Sequence, residues 1–187
     1  MTTPMSQRLR RRLDRLDAAI AAWMAQHGVR YLRVSLGIVF LWFGALKLFP
    51  GLSPAEGLVG RTVLALTFGL VAPSLSVPAL GVWESLIGLG LVTGRALRLT
   101  LVVLFLQMAG TATPLVLFPG EAFVHGPFGL SMEGQYIVKN IVFVSAAFVI
   151  AATVRGGRLR AEDTAELSRR LVDRQLAQYL ARSAGSS

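Results

Sequence analysis

Residues 31–49 read YLRVSLGIVFLWFGALKLF, a largely apolar run with a single lysine, Lys47, close to its end. About 20 apolar residues in succession are enough for a helix to cross the hydrocarbon core of a bilayer. A charged side chain is costly in hydrocarbon, so Lys47 lies either near the water surface or beside a partner that compensates its charge. The stretch therefore predicts a membrane-spanning helix. It also raises the question of which residue, if any, compensates the charge of Lys47.

Three further apolar runs follow, at residues 78–93, 97–117 and 136–154, and Leu75 and Val77 extend the shortest of them. The chain is 53% apolar and 16% charged, whereas a soluble domain is about 25% charged. We therefore predict an all-α membrane protein, a bundle of four transmembrane helices. The absence of cysteine excludes disulfides, thiolate metal ligands and thiol redox chemistry within the chain itself.

The distribution of basic residues predicts the orientation. If the N-terminus is cytoplasmic, all of the 19 lysines and arginines except Lys47, Arg61 and Lys139 fall on the cytoplasmic side. Orientation follows such a bias, so we expect a multi-pass protein of the bacterial inner membrane with both termini in the cytoplasm. The net charge of +9 then reflects topology and contact with anionic lipid headgroups. No aromatic stacking platform accompanies it, so nucleic acid is not an expected partner.

Two terminal segments flank the predicted membrane domain of residues 30–155. Apolar residues recur at spacings of four and three within residues 1–29: Leu9, Leu13, Leu16, Ile20 and Trp23. This pattern predicts a basic amphipathic helix, which either lies on the anionic leaflet or docks a partner as a short coiled coil. Residues 156–187 predict a second amphipathic cytoplasmic helix followed by a disordered tail. Residues 58–72, bounded by prolines, predict a short helix that is interfacial or re-entrant on the outer side.

The polar residues of the predicted spans lie at similar depths. A helix rises about 1.5 Å per residue, which places polar groups from all four spans in the outer half of the membrane. Trp83 adds an aromatic wall, and the full candidate ligand-binding set is Lys47, Trp83, Glu84, Gln107, Thr111, Glu133, Gln135, Lys139 and Asn140. We expect Glu84 to pair with Lys47; the alternatives are a lysine that reaches the headgroups and a protonated, structural glutamate. No catalytic residue is assigned, and the spacing of His125 from nearby carboxylates does not support a metal site.

Four stretches carry a family resemblance: RVSLGIVFLWFGALKLFPGLSPAE, LGVWESLIGLGLVTGRALR, LQMAGTATPLVLFP and LSMEGQYIVKNIVFVSAAFVI. Together, over residues 30–154, they resemble the YkgB/RclC-like family of small bacterial inner-membrane proteins, within the DoxX-like group. The resemblance implies a link to reactive chlorine resistance and to quinone-linked oxidation, without established catalytic residues. Its motif positions include most of the candidate set: Lys47, Trp83, Glu84, Gln107, Glu133, Gln135, Lys139 and Asn140.

These observations favour a non-catalytic or accessory component of oxidant defence that binds a quinone or a similar amphiphile. Its expected partners are the anionic bilayer and a membrane oxidoreductase, and self-association as a homo-oligomer is compatible with the small residues of the spans. A small transporter or proton-conducting bundle and a purely structural scaffold subunit are the alternatives.

Overall fold

The computed structural model describes residues 4–126, 128–154, 156–157 and 172. The amphipathic helix predicted within residues 156–187 therefore lies outside the described residues except at isolated positions. The elements in chain order are α1 (Pro4–Leu46), α2 (Glu56–Leu66), α3 (Pro73–Thr93), α4 (Leu97–Ala112), α5 (Pro114–Leu117), α6 (Pro119–Ala122), β1 (Phe123–His125), β2 (Gly129–Leu130) and α7 (Met132–Thr153).

Four of these helical stretches are long and apolar enough to cross a membrane: Arg12–Leu46, Pro73–Thr93, Leu97–Leu117 and Met132–Thr153. The prediction of a helical, multi-pass membrane protein is confirmed. The second span begins at Pro73, earlier than the apolar run suggests. Proline is tolerated in the first helical turn because its missing N–H would have no partner there, and Ala72 before it is extended.

Helix α1 is continuous over its 43 residues, so the secondary structure does not break at the predicted boundary between residues 29 and 30. Gly28 costs only about 1 kcal/mol in a helix relative to alanine, and no proline interrupts the stretch. The chain divides into two units, residues 29–157 and the two chain ends. Of the chain ends, the structure describes mainly the helical residues 4–28.

Within residues 29–157, α1, α3, α4 and α7 contribute to one apolar core. We call the end of the bundle that carries Arg33, Arg95 and Arg98 the arginine end, and the end that carries residues 47–72 and 113–131 the loop end. The core fills the bundle towards the arginine end, and its members are Leu36, Phe40, Ile87, Leu91, Leu101, Leu104, Met108, Ala146, Ala147 and Ile150.

Reciprocal glycine contacts set the distance between α1 and α3. A Cβ atom built on Gly44 would lie 2.8 Å from the carbonyl oxygen of Gly81, and one built on Gly81 would lie 2.8 Å from that of Gly44. Gly37 and Gly88 repeat this relation two turns away, at 2.9 and 2.7 Å. Small residues allow helices in lipid to approach this closely, so these four glycines stabilise packing inside one chain.

The loop end contains structure that the sequence pattern did not predict in detail. Helix α2 ends at Leu66, short of the predicted residue 72, because the backbone turns through positive φ at Phe68 and Gly69. Strands β1 and β2 form an antiparallel pair, which the prediction of an all-α protein did not include. Gly126, with φ of +55°, supplies a left-handed residue in the connection, where glycine is favoured.

Candidate functional site

Glu84 lies near the middle of α3 and is buried, with 7% of its surface exposed. Lys47 Nζ lies 2.6 Å from Glu84 Oε2. Gln107 of α4 donates a hydrogen bond from Nε2 to Glu84 Oε1 over 2.8 Å. Both oxygens of the carboxylate are therefore held, one by a residue that follows α1 and the other by a residue of α4. We call Lys47, Glu84 and Gln107 the polar triad.

The packing of α1 on α3 directs Lys47 into the bundle. Helix α1 ends at Leu46, and Lys47 is the first residue of the turn that follows. At the Gly44 and Gly81 contact, a Cβ on Gly81 would come within 3.0 Å of Lys47 Cβ. Lys47 Nζ also donates to the carbonyl of Phe43, at 3.4 Å. The lysine is only 8% exposed, so it is paired inside the protein and does not extend to the headgroups.

A second polar contact lies closer to the loop end. Thr111 follows Gln107 by one turn of α4, and its hydroxyl donates to the carbonyl of Met108. Asn140 of α7 donates from Nδ2 to Thr111 Oγ1 at 3.4 Å. Residues from α3, α4 and α7 thus extend polar character from Glu84 to the loop end.

The other predicted members lie outside the triad. Trp83 is 42% exposed, and Glu133, Gln135 and Lys139 are exposed on α7. Lys139 Nζ lies 5.4 Å from the ring centroid of Tyr136, which is nearer the loop end, so the lysine extends along the outside of α7. Counting residues gives the height of a side chain along a helix but not the direction in which it points, which is why the predicted set was wider than the hydrogen-bonded one.

Arg61 takes part in a contact that sequence reasoning missed. Its Nη2 lies 2.5 Å from Glu121 Oε2, with the two side chains 55% and 34% exposed, and its guanidinium lies over the ring of Phe118. An open depression of about 350 Å³ adjoins it, lined by Arg61, Leu64, Ala65, Phe68, Gly69 and Phe118. No local spacing links α2 to α6, so only the tertiary structure reveals the pair.

In the part of the chain that the structure describes, no buried side-chain nitrogen or oxygen lacks a hydrogen-bond partner. Among the same residues, no three His, Cys, Asp or Glu side chains are grouped so that they could hold a metal ion. The triad brings together a charged ammonium donor, an amide and a carboxylate. Apolar helices enclose all three groups.

The fold and these contacts define a multi-pass membrane protein with four candidate spans among the described residues and a buried, hydrogen-bonded ion pair. The model of the DoxX family matches residues 28–125, and the chain therefore belongs to the DoxX family. The match includes all three members of the triad and ends before α7, which carries Asn140. No curated protein and no solved structure matches the chain.

Proposed function

We propose that this DoxX protein is a non-catalytic or accessory component of oxidant defence, directed against reactive chlorine, that binds a quinone or a similar amphiphile beside the polar triad. The observation that carries the proposal is the buried Glu84 carboxylate, held at mid-span by Lys47 and Gln107. Intramembrane ionisable groups are costly, and they commonly mark ligand sites and proton relays.

The donors of the triad fit a carbonyl ligand. A lysine ammonium has three N–H donors, and the acceptors that surround Lys47 are Glu84 Oε2 and the Phe43 carbonyl. One donor therefore remains for a ligand oxygen. The Gln107 amide has two N–H donors, of which one is directed at Glu84. A quinone offers two carbonyl acceptors on an apolar ring, and when bound it would supply two-electron redox chemistry.

The roles of the residues follow from these contacts. Lys47 and Gln107 would orient the ligand by donating hydrogen bonds, and Glu84 would exchange a proton with it at a carboxylate oxygen. Electrons would come from a partner, for which a membrane oxidoreductase is the appropriate class. We place the protein in the inner membrane with both termini in the cytoplasm, because its arginines are concentrated at one end of the bundle and in the terminal segments.

A structural scaffold is the second candidate, and one observation favours it. Every buried polar side-chain atom of the described residues already has a partner, so the triad could stabilise the bundle without a ligand. A transporter or proton-conducting bundle has less support, because the arginine end is filled by apolar side chains. Leu91, Leu104 and Ile150 are fully buried there, and they do not continue a polar path.

The experiment compares the wild type with Lys47→Met/Glu84→Leu after purification in mild detergent and extraction of bound lipophiles. We expect a stoichiometric quinone in the wild type and none in the double variant. Lys139→Met is the matched control, because it removes an exposed lysine of α7 and should retain the quinone. A folded wild type that carries no quinone would contradict the ligand proposal.

The same variants separate a binding site from a scaffold in the host cell. Replacing a buried ion pair by apolar residues is often neutral for stability, so a folded double variant is expected. If the triad binds a ligand, cells with this variant become sensitive to hypochlorite although the protein accumulates normally. Full protection by the folded double variant would instead establish a structural role.

A further inference from the structure

The N-terminal half of α1 carries an exposed apolar stripe. Five large side chains form it, and each exposes more than half of its surface: Leu9, Leu13, Leu16, Ile20 and Trp23, at 59, 55, 60, 53 and 52%. They all lie within one continuous helix. Large apolar side chains aligned on one helical face are costly in water, so the exposure of Leu9, Leu13, Leu16 and Ile20 indicates an interaction surface; Trp23 also stacks on the His27 ring.

The spacing of the stripe is that of a coiled coil. Its members follow one another at intervals of four, three, four and three residues, which are alternating d and a positions of a heptad repeat. His27 occupies the next a position. A repeat of 3.5 residues keeps such a seam facing a partner helix, and the exposed Met24 lies beside it at an e position.

Charged residues at both edges of the stripe favour a second copy of the chain as the partner that covers it. With Leu9 at position d, Arg12 falls at g and Asp17 at e of the following heptad, and both side chains are exposed. In a parallel two-stranded coiled coil, a g residue lies beside the e residue five positions later on the other helix, and opposite charges there select the partner. Arg12 of each copy would therefore meet Asp17 of the other.

We propose that residues 9–27 form a parallel, two-stranded coiled coil between two copies of this protein. The spans support this geometry, because two copies inserted in the same orientation present their N-terminal segments in parallel. Confinement to one membrane also raises their effective concentration, which compensates for a seam of fewer than three heptads. The inference is independent of the quinone proposal.

Cysteine crosslinking tests the interface directly, because the natural chain contains no cysteine. Leu16→Cys places a thiol at d, and Ala18→Cys places one at the outward f position as a matched control. Across a parallel seam, equivalent d residues lie within the roughly 4–7 Å Cα separation that a disulfide requires, and f residues do not. In oxidised native membranes, Leu16→Cys should give a species of twice the 20.1 kDa chain mass, and Ala18→Cys should remain monomeric.

Charge exchange then tests the register. Arg12→Asp and Asp17→Arg, each introduced with Leu16→Cys, would create like-charge pairs and reduce the dimer severalfold. Coexpression of the two variants with different tags would restore opposite pairs, so crosslinking between the tagged chains should recover.

Three results would overturn the proposal. Equal crosslinking of Leu16→Cys and Ala18→Cys would indicate random collision. No crosslink at either position would indicate that lipid covers the stripe. An intramolecular crosslink in Leu16→Cys/Leu176→Cys, without a dimer, would indicate that the C-terminal segment of the same chain covers it.

Discussion

At the scale of single residues, the pair of Lys47 and Glu84 determines the character of the loop-end half of the bundle. The two residues are 37 positions apart in the chain and 2.6 Å apart in space. Each neutralises a charge that would be prohibitive alone in hydrocarbon. Loss of one partner should therefore be far more damaging than loss of both.

This asymmetry can be measured with a double-mutant cycle. We expect Glu84→Leu alone to lower the free energy of unfolding by about 3–5 kcal/mol, since it leaves Lys47 buried and uncompensated. Lys47→Met/Glu84→Leu should lose less, about 1–3 kcal/mol, because apolar residues can replace a buried pair and only the buried Gln107 amide is left without its acceptor. Unfolding in mixed detergent and SDS micelles provides the values. Additive losses in the double variant would show that the two side chains are not coupled.

Gln107 provides a second residue-scale prediction. Gln107→Leu removes the donor to Glu84 Oε1 and leaves a buried acceptor without its partner, which should cost about 1–3 kcal/mol. Gln135→Leu is the matched control, because Gln135 is exposed on α7 and its replacement should change the free energy of unfolding by less than about 0.5 kcal/mol. Equal effects of the two substitutions would exclude a special role for the bond to Glu84.

At the scale of elements, the crossing of α1 and α3 positions Lys47. The close approach at Gly37 and Gly88, and again at Gly44 and Gly81, leaves no space for a side chain. The sequence shows that these glycines are spaced seven apart on each helix. It does not show that the two sets contact each other, because a glycine pattern in a span suits another chain equally well.

We therefore predict opposite effects for two Gly→Ala substitutions in helices. A Cβ at position 88 would lie 2.6 Å from the backbone nitrogen of Leu41, whereas one at position 110 meets nothing within 4 Å. Gly88→Ala should destabilise the bundle by about 1–3 kcal/mol through overpacking. Gly110→Ala should stabilise α4 by about 0.5–1 kcal/mol. The free energies of unfolding in micelles test both, and a neutral Gly88→Ala would mean that α1 and α3 can separate without cost.

At the scale of the whole molecule, the bundle is divided into two unlike halves. Apolar side chains fill the arginine end, and the triad with Thr111 and Asn140 occupies the half nearer the loops. Among the described residues, this polar region does not continue to the arginine end. The arrangement therefore offers no continuous polar path for conduction through the bundle.

The two ends should also lie on opposite sides of the membrane. In the cysteine-free chain, Gly120→Cys reports on the loop end and Thr93→Cys on the arginine end. We expect a membrane-impermeant maleimide to label Gly120→Cys in cells whose outer membrane is permeabilised and Thr93→Cys only after the inner membrane is opened, because basic loops stay in the cytoplasm. Labelling of both without opening the inner membrane would contradict four crossings with this orientation.

The sequence by itself determined the class of this protein. Apolar run lengths predicted four spans, and the rise of about 1.5 Å per residue placed Lys47, Glu84, Gln107, Thr111 and Asn140 in one half of the bundle. The structure adds that α7 begins at Met132, before the predicted apolar run, where Ser131 caps it by accepting a hydrogen bond from the Gly134 N–H.

The tertiary structure alone decided which polar groups meet. It selected the triad, left Glu133, Gln135 and Lys139 exposed, paired Arg61 with Glu121 and formed a hairpin at the loop end. The physical reason is that sequence counting fixes height along a helix axis, whereas direction around that axis depends on how neighbouring helices pack. Here that packing depends on glycine contacts between residues that are distant in the chain.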